Sequence, residues 1–519
     1  MGGMRPMNLI GWRRSVSRAC SVADKQLGVN KPVKEIGFVA LQRHDLVNAG
    51  TSVAAYPAWQ VCLVQRTKCA MSTAVHGQIN AMKNPLDLPI VNSHAAAVDV
   101  GSEKFFASVG GREPKVFLTV TAEMTALCQH FKSEGVRTVA MEATGVYWIN
   151  LYTALEEAGL EVVVVNGAHC RNIPGRKSDM KDCQWLAVLH AHGLLSGGFV
   201  PPSDIRRLRD YMRIRADLVS MAAQHVQHMQ KAMDRLNVKI HVVISDILGW
   251  SGMRIIKAIL AGERNPEKLV ELCDPQILNT KRAPMLEALR GLWRKEHLFA
   301  LGLAVDSYEN YQKQIAQCDA MIAEVVAELS AGKPTPDLGK PKELRHNALV
   351  LPDLHKQMAQ IYGKDLTKLP CLNQSTVASL LAEIGHDMSR WKDWRHFGSW
   401  LALAPSEAQS GRRRRRIKRY LTRAAQILCR AVQCMAVGKH TWLASFYRRI
   451  RAKRGAKVAI KATAYKLAKL VYLVLTKGWE YVEEGIAKYE QRVRQMELRA
   501  LQKLARKLNF VMLPKQFVT

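Results

Sequence analysis

The 519-residue chain lacks three features, any one of which would have set its class. None of its 11 cysteines stands in a Cys-x-x-Cys pair, and only Cys62/Cys69 and Cys429/Cys434 are near neighbours. A zinc site or disulfide framework is therefore not expected, and thiols scattered this way fit a reducing compartment. No uninterrupted apolar run reaches the roughly 18 residues of a membrane span, so no membrane partner is expected. Acidic residues are scarce: 44 Asp and Glu stand against 76 Lys and Arg, a net charge of +32. This exceeds what solubility requires and points to a polyanionic partner, with nucleic acid the usual case. The imbalance is concentrated, since residues 411–519 hold 28 basic side chains and 5 acidic ones.

Residues 1–90 show weak periodicity and frequent breakers, and are expected to form a poorly ordered N-terminal extension. The first 25 are rich in Arg and Ser and poor in acids, as in a transit peptide. An over-long reading frame with Met71 as the true initiator is the favoured explanation. Residues 91–202 read as an α/β unit. Strands are predicted at Ala95–Val100, Phe105–Val109 and Val116–Ala122, with a turn through Gly110-Gly111. A helix over Glu123–Ser133, a strand at Thr138–Met141, a helix over Tyr147–Ala158, a strand at Glu161–Val165 and a helix over Asp179–Leu195 follow. The order βββαβαβα is that of an RNase H-like fold, in which the first strand, the fourth strand and the last helix meet at one catalytic edge.

Four carboxylates fall on those three elements: Asp99 late in the first strand, Glu142 after the fourth, and Asp179 and Asp182 at the start of the last helix. Asp179 and Asp182 are three apart and share a helix face. Alone, each is a plausible cap or first-turn acid. Together they suit hard divalent cations, which take carboxylate oxygens, and the expected cofactor is Mg²⁺, as two ions.

Residues 203–335 are predicted mostly helical, with Ser203 or Asp204 as the opening cap. Apolar stripes run Leu218, Ala222, Val226, Met229, Met233, Leu236 and again Leu301, Val305, Tyr308, Tyr311, Ile315, Cys318, Ile322, Val326, Leu329. The spacing suits an antiparallel or dimeric coiled coil, hence an oligomerisation segment, and equally an ordinary intramolecular core. After a Gly/Pro linker, residues 336–485 form a third, helical unit, and residues 486–519 a basic helical tail. Leu369-Pro370-Cys371-Leu372-Asn373 before a helix resembles half of a helix-hairpin-helix, which aims backbone N–H groups at a phosphate.

Two basic clusters are candidate nucleic-acid contacts: Arg412, Arg413, Arg414, Arg415, Arg416, Lys418 and Arg419, and then Arg448, Arg449, Arg451, Lys453, Arg454 and Lys457. Trp391, Trp394, Trp400, Trp442, Phe446 and Tyr447 could stack on bases, although their helical spacing favours packing.

The segments Ala97-Val98-Asp99-Val100-Gly101, Met141-Glu142-Ala143-Thr144-Gly145-Val146-Tyr147 and Gly175-Arg176-Lys177-Ser178-Asp179-Met180-Lys181-Asp182 resemble the DEDD-type transposases of the IS110 family of bacterial insertion sequences, relatives of Piv-type DNA invertases. So do Phe397-Gly398-Ser399-Trp400-Leu401-Ala402-Leu403-Ala404-Pro405 and Ala462-Thr463-Ala464-Tyr465-Lys466-Leu467-Ala468. The resemblance spans residues 93–510. It implies a RuvC-like domain bearing Asp99, Glu142, Asp179 and Asp182 with Mg²⁺, and a C-terminal transposase domain bearing a serine nucleophile. That serine is Ser410, with Ser406 as the alternative. It further implies DNA as substrate, a covalent phosphoserine intermediate, a noncoding guide RNA, a dimer or tetramer, and residence in the bacterial cytoplasm on the nucleoid. The chain departs from the family where Arg412 to Arg416 replace a Gly/Ser-containing stretch, and where Cys371-Leu372-Asn373 replaces hairpin glycines. Asn373 is expected to take up the left-handed geometry there. Two rival readings stay open: a hydrolytic nuclease resembling a Holliday-junction resolvase, and a transposase relic that binds nucleic acid without cutting it.

Overall fold

The computed structural model describes residues 88–167, 179–344, 347–405, 407–411, 413–416, 419–436 and 441–510, with backbone alone for 407–410, 413–416 and 436. The expectations for residues 1–87, Ser406, Arg412 and Lys418 lie outside the described residues.

β1 (Ala95–Val100) is the centre of a five-stranded sheet. It pairs antiparallel with β2 (Lys104–Val109), which pairs antiparallel with the edge strand β3 (Lys115–Leu118). Helix α1 (Thr121–Ser133) follows, starting two residues earlier than its periodicity suggests and ending β3 short of the expected Ala122. β4 (Thr138–Glu142) lies parallel to β1 on its other side; after α2 (Trp148–Glu157), β5 (Glu161–Val165) lies parallel to β4. α3 (Asp179–Ala191) closes the unit, stopping before the expected Leu195. The strand order β3-β2-β1-β4-β5 makes a mixed α/β sheet, consistent with the RNase H-like expectation.

Successive side chains of a strand point to opposite faces, and the two faces of this sheet differ in bulk. Ala96, Val98, Val100, Phe105, Val139 and Met141 pack against α1 and α2 with Leu127, Phe131, Leu151 and Leu155. The opposite face carries Ala97, Ala140 and Val165 and meets Leu186 and Ala187 of α3. Small residues there let α3 lie close to the strands. The buried Cys183 thiol lies 2.8 Å from the Phe106 carbonyl and 3.4 Å from that of Ala97, and its one proton is donated weakly between them.

The rest is helical. α4 (Ser203–Arg235) is capped by Pro202, without a side-chain cap bond; the expected caps Ser203 and Asp204 are its first two residues, because Pro202 already sits at the extended position before the first turn. α5 (Ile240–Val243), α6 (Trp250–Leu260), α7 (Pro266–Val270) and α8 (Pro275–Ala288) form an insertion, and α9 (Lys295–Ser330) returns antiparallel along α4. Both apolar stripes are accounted for within one chain. Met229, Met233, Leu236, Leu301 and Val305 join Ile255, Ile256 and Ile259 of the insertion in one core. Ile322, Val325 and Val326 join Ile205 and Leu208 in the core of the C-terminal helices.

Those helices are α10 (Leu354–Tyr362), α11 (Gln374–Ile384) and α12 (Trp394–Trp400), then the hairpin β6 (Glu407–Ser410) and β7 (Arg413–Arg416), and finally α13 (Arg423–Ala436), α14 (Trp442–Arg454), α15 (Ala456–Lys477) and α16 (Trp479–Lys507). The turn before α11 corrects one expectation: the left-handed residue is Cys371 (φ 62°), whereas Asn373 is extended and caps the helix by accepting from the Thr376 N–H. A capping carboxamide satisfies an otherwise orphaned helix donor, which favours Asn at that position over the bend itself.

The joint between the long helices and the C-terminal core is polar. Buried Arg215 of α4 binds Asp319 of α9 in two-pronged fashion and donates to the carbonyls of Asn347 (3.0 Å) and Ala348 (3.1 Å). Arg215→Ala would strand the half-buried Asp319 carboxylate and two carbonyls, a loss of about 2 kcal/mol. Urea unfolding followed by circular dichroism should show the lowered midpoint; an unchanged midpoint would remove this joint from the account of the fold.

Candidate active site at the sheet edge

Asp99 has the parity of Ala97 on β1, and Glu142 that of Ala140 on β4, so both side chains belong to the face covered by α3. The two strands run in register through Val98 and Met141, and the two acids are the next residues on each. Asp179 and Asp182 lie in the first turn of α3, just before the anchored Cys183. Close packing of the helix thus carries its acidic end to the same edge.

The electrostatics report the meeting. Burial, with the charges of Asp179, Glu142 and Asp182, pushes Asp99 from its ordinary 3.8 up to about 6, and a bond from the Val100 N–H opposes the rise only in part. Gly167, buried just beyond β5, leaves room for the Glu142 carboxylate: a methyl group at that position would overlap it. Neither Gly167 nor Cys183 was singled out from the sequence. Both act through contacts that only the folded sheet makes, and neither residue type announces such a role.

A divalent cation suits this donor set, since four carboxylates sharing one edge gain from a hard positive charge between them. Among the described residues no three His, Cys, Asp or Glu side chains are arranged to hold an ion as they stand.

The other expected site residues are in the C-terminal half. Ser410 ends β6 opposite Arg413, and Gly411 in the connecting turn takes φ +57°. The Arg413–Arg416 run is a strand, with Arg416 opposite Glu407 and Arg414 opposite Gln409. Arg419 is exposed and donates to the Ser399 hydroxyl at 3.2 Å. Arg448, Arg451, Lys453, Arg454 and Lys457 are exposed along the end of α14 and the start of α15, while Arg449 is half-buried and donates to the Tyr489 hydroxyl at 3.0 Å. Trp391 and Tyr447 are buried; Trp391 packs tilted or edge-on against Phe199, Phe397 and Trp400, so packing accounts for Trp391, Trp400 and Tyr447. Phe199 comes from the segment after α3, and Arg390 donates to the Gly198 carbonyl at 2.8 Å, so the C-terminal helices seat directly against the sheet unit.

The raised Asp99 pKa has a pH consequence. The folded state holds the Asp99 proton up to about pH 6, whereas the unfolded chain releases it near 4. The folded form therefore binds more protons in that window, and stability falls as pH rises from about 4 to about 6. Asp99→Asn lacks this dependence. In chelator, thermal melts of the variant should gain on the parent protein through that window and hold the gain above it; parallel melting curves would contradict the crowding.

Two family comparisons match separate parts of the chain. A DEDD-type model of the IS110 group, described as Transposase, matches residues 96–238. A model described as Transposase IS116/IS110/IS902 family matches residues 363–448. No curated protein matched the chain. The first segment contains Asp99, Glu142, Asp179 and Asp182, and the second contains Ser410 and the arginine strand. Among the described residues no helix is long and apolar enough to cross a membrane. With both segments present in this order, the chain is a member of the IS110 family of DEDD transposases, which act on DNA in the transposition of insertion sequences.

Proposed function

We propose that the protein cuts and rejoins DNA strands at the ends and target of an insertion sequence, using carboxylate-held Mg²⁺ and a serine nucleophile. In this reading residues 91–202 are a RuvC-like catalytic domain, 203–335 a helical segment serving oligomerisation, 336–485 the transposase domain and 486–519 a basic tail. What supports it most is the placement of the four acids at one sheet edge: Asp99 late in β1, Glu142 at the end of β4, and Asp179 and Asp182 in the first turn of α3, near enough for their charges to add to the effect of burial on Asp99. Like charges held this close cost stability, and a bound cation would offset that cost.

Asp99, Glu142, Asp179 and Asp182 would hold the metal, which when bound supplies Lewis acidity toward a phosphodiester. Ser410 Oγ attacks phosphorus, giving up its proton to a base. A serine–phosphate bond forms as the bond from phosphorus to the 3′-oxygen breaks, and that oxygen leaves as a 3′-hydroxyl. Attack by a second strand's 3′-hydroxyl on the phosphoserine reverses the sequence, returns the serine proton and joins new partners without net hydrolysis. The cations of α14 and α15 would hold the DNA backbone, and a noncoding guide RNA would use the same kind of contact. Paired strand exchange needs two such sites, hence a dimer or tetramer, working on the bacterial nucleoid.

Incubation with element-end DNA and Mg²⁺ should give a covalent protein–DNA adduct that survives denaturing electrophoresis. Ser410→Ala should lose the adduct and the cleavage together. Asp99→Asn should slow cleavage by at least about a hundredfold. Cleavage that persists in Ser410→Ala would favour a hydrolytic, resolvase-like enzyme, and no Mg²⁺-dependent cleavage by the parent protein would favour a binding relic. Separately, Arg451→Ala with Arg454→Ala should flatten the dependence of log K on log salt by about 0.9 for each phosphate that the variant no longer neutralises.

A further inference from the structure

A second concentration of positive charge lies in the cleft between α15 and α16, remote in sequence from the four carboxylates. The ammonium of Lys466, on α15, lies 4.8 Å from the centre of the Trp442 ring, 4.6 Å from that of Phe446 and 3.3 Å from that of Tyr489. Trp442 and Phe446 belong to α14 and Tyr489 to α16, so the cage exists only where three helices meet. Among the described residues Lys466 has neither a carboxylate partner nor a hydrogen-bond acceptor. The charges that act on it are those of Arg449 and Lys469, both positive, and with burial they pull its pKa down to about 8. Glu484, the acid on the cleft wall, is already bound by Lys488.

The cleft has a volume of about 460 Å³, and its walls include Trp442, Lys466, Lys469, Tyr481, Tyr489 and Arg492. Two chemical demands follow from these walls. Glu484 being taken up by Lys488, the neighbouring Lys466 and Lys469 have no acid paired with them among the described residues and call for an anion, because the rings offset only part of the cost of burial. Flat rings call for a flat partner, and half-exposed Tyr481 offers such a surface. The volume is that of a pocket for an organic group, well above what a lone phosphate fills. One ligand class carries an anion and a flat ring on a single short scaffold.

We propose that the cleft between α15 and α16 binds one unpaired nucleotide of a single strand, with its phosphate at Lys466 and Lys469 and its base against Tyr481. A duplex cannot supply this group without unstacking, since its bases face one another inside the helix. The inference rests on the nucleic-acid reading above, but it assigns a pocket where that reading needs only a charged surface.

The test uses the full chain and acylation by an N-hydroxysuccinimide ester at pH 8, read at Lys466 by mass spectrometry. Lys295, exposed at the start of α9, serves as reference. The probes are ten-residue oligothymidylate, ten-residue oligouridylate and a DNA duplex, with occupancy recorded by fluorescence anisotropy in the same samples. A bound single strand should slow acylation of Lys466 by about tenfold or more while Lys295 is unaffected, and the duplex should leave both unchanged. Protection by one single strand alone names its source as DNA or RNA, and protection by both shows a pocket that accepts either. Tyr481→Ala should weaken single-strand binding by about tenfold and leave duplex binding intact. If a single strand binds while Lys466 reacts at its free rate, the cage is a structural clasp and the pocket is overturned. If no strand binds at all, the nucleic-acid reading falls with it.

Discussion

How near a helix can approach a sheet decides whether the acidic edge exists. α3 crosses β1 and β4 over Ala97 and Ala140, with Ala187 on the helix side and the Cys183 thiol reaching two strand carbonyls. A larger residue at any of these positions would lift the helix by the width of its extra atoms, because interiors are close-packed and relax only in part. Asp179 and Asp182 would rise with it. The carboxylates push the other way, so the apolar contact and the thiol bonds hold together a group of like charges that would separate if free. The site is built by packing, and its charge pattern is the strained consequence.

The same division of labour recurs at the second half of the molecule. A continuous apolar core runs from Ile205 and Leu208 of α4 through α11, α13 and α15. Polar groups then fix direction. Arg209 donates to the Ala382 and Glu383 carbonyls at the end of α11, and Arg213 binds the Glu383 carboxylate. Positive side chains at a helix C-terminus satisfy carbonyls that have no partner within the helix. The Phe199, Trp391 and Trp400 rings, with Arg390 on the Gly198 carbonyl, then join the sheet unit to this core.

Much of this was legible in the residues. Alternation and turn signals placed the strands of the sheet to within a few residues, because each strand has one identity per face and clear breakers at its ends. The four acids could be picked out as candidates because strand ends and a helix start are marked locally. Contacts made across the fold were not legible. Gly167 beside Glu142 and Lys466 among Trp442, Phe446 and Tyr489 join residues far apart in the chain, and no spacing rule connects them. The cap at Asn373 was missed for a different reason: Asn serves both bends and caps, and the neighbouring Cys371 took the bend. The apolar stripes of α4 and α9 told of a partner helix without telling whose, since a seam within one chain and a seam between two carry the same spacing.

That pair of long helices has a geometric effect of its own. Twenty residues separate Arg215 from the end of α4 at Arg235, about 30 Å at the helical rise. The insertion of α5 to α8 is carried at the far end of that span, in a core that it shares with α4 and α9 and that includes no residue of the sheet. A rotation of about five degrees at the Arg215–Asp319 clasp therefore displaces the insertion by roughly 3 Å. Any turn at this joint would thus be magnified at the remote tip, by the lever arm of the helix pair.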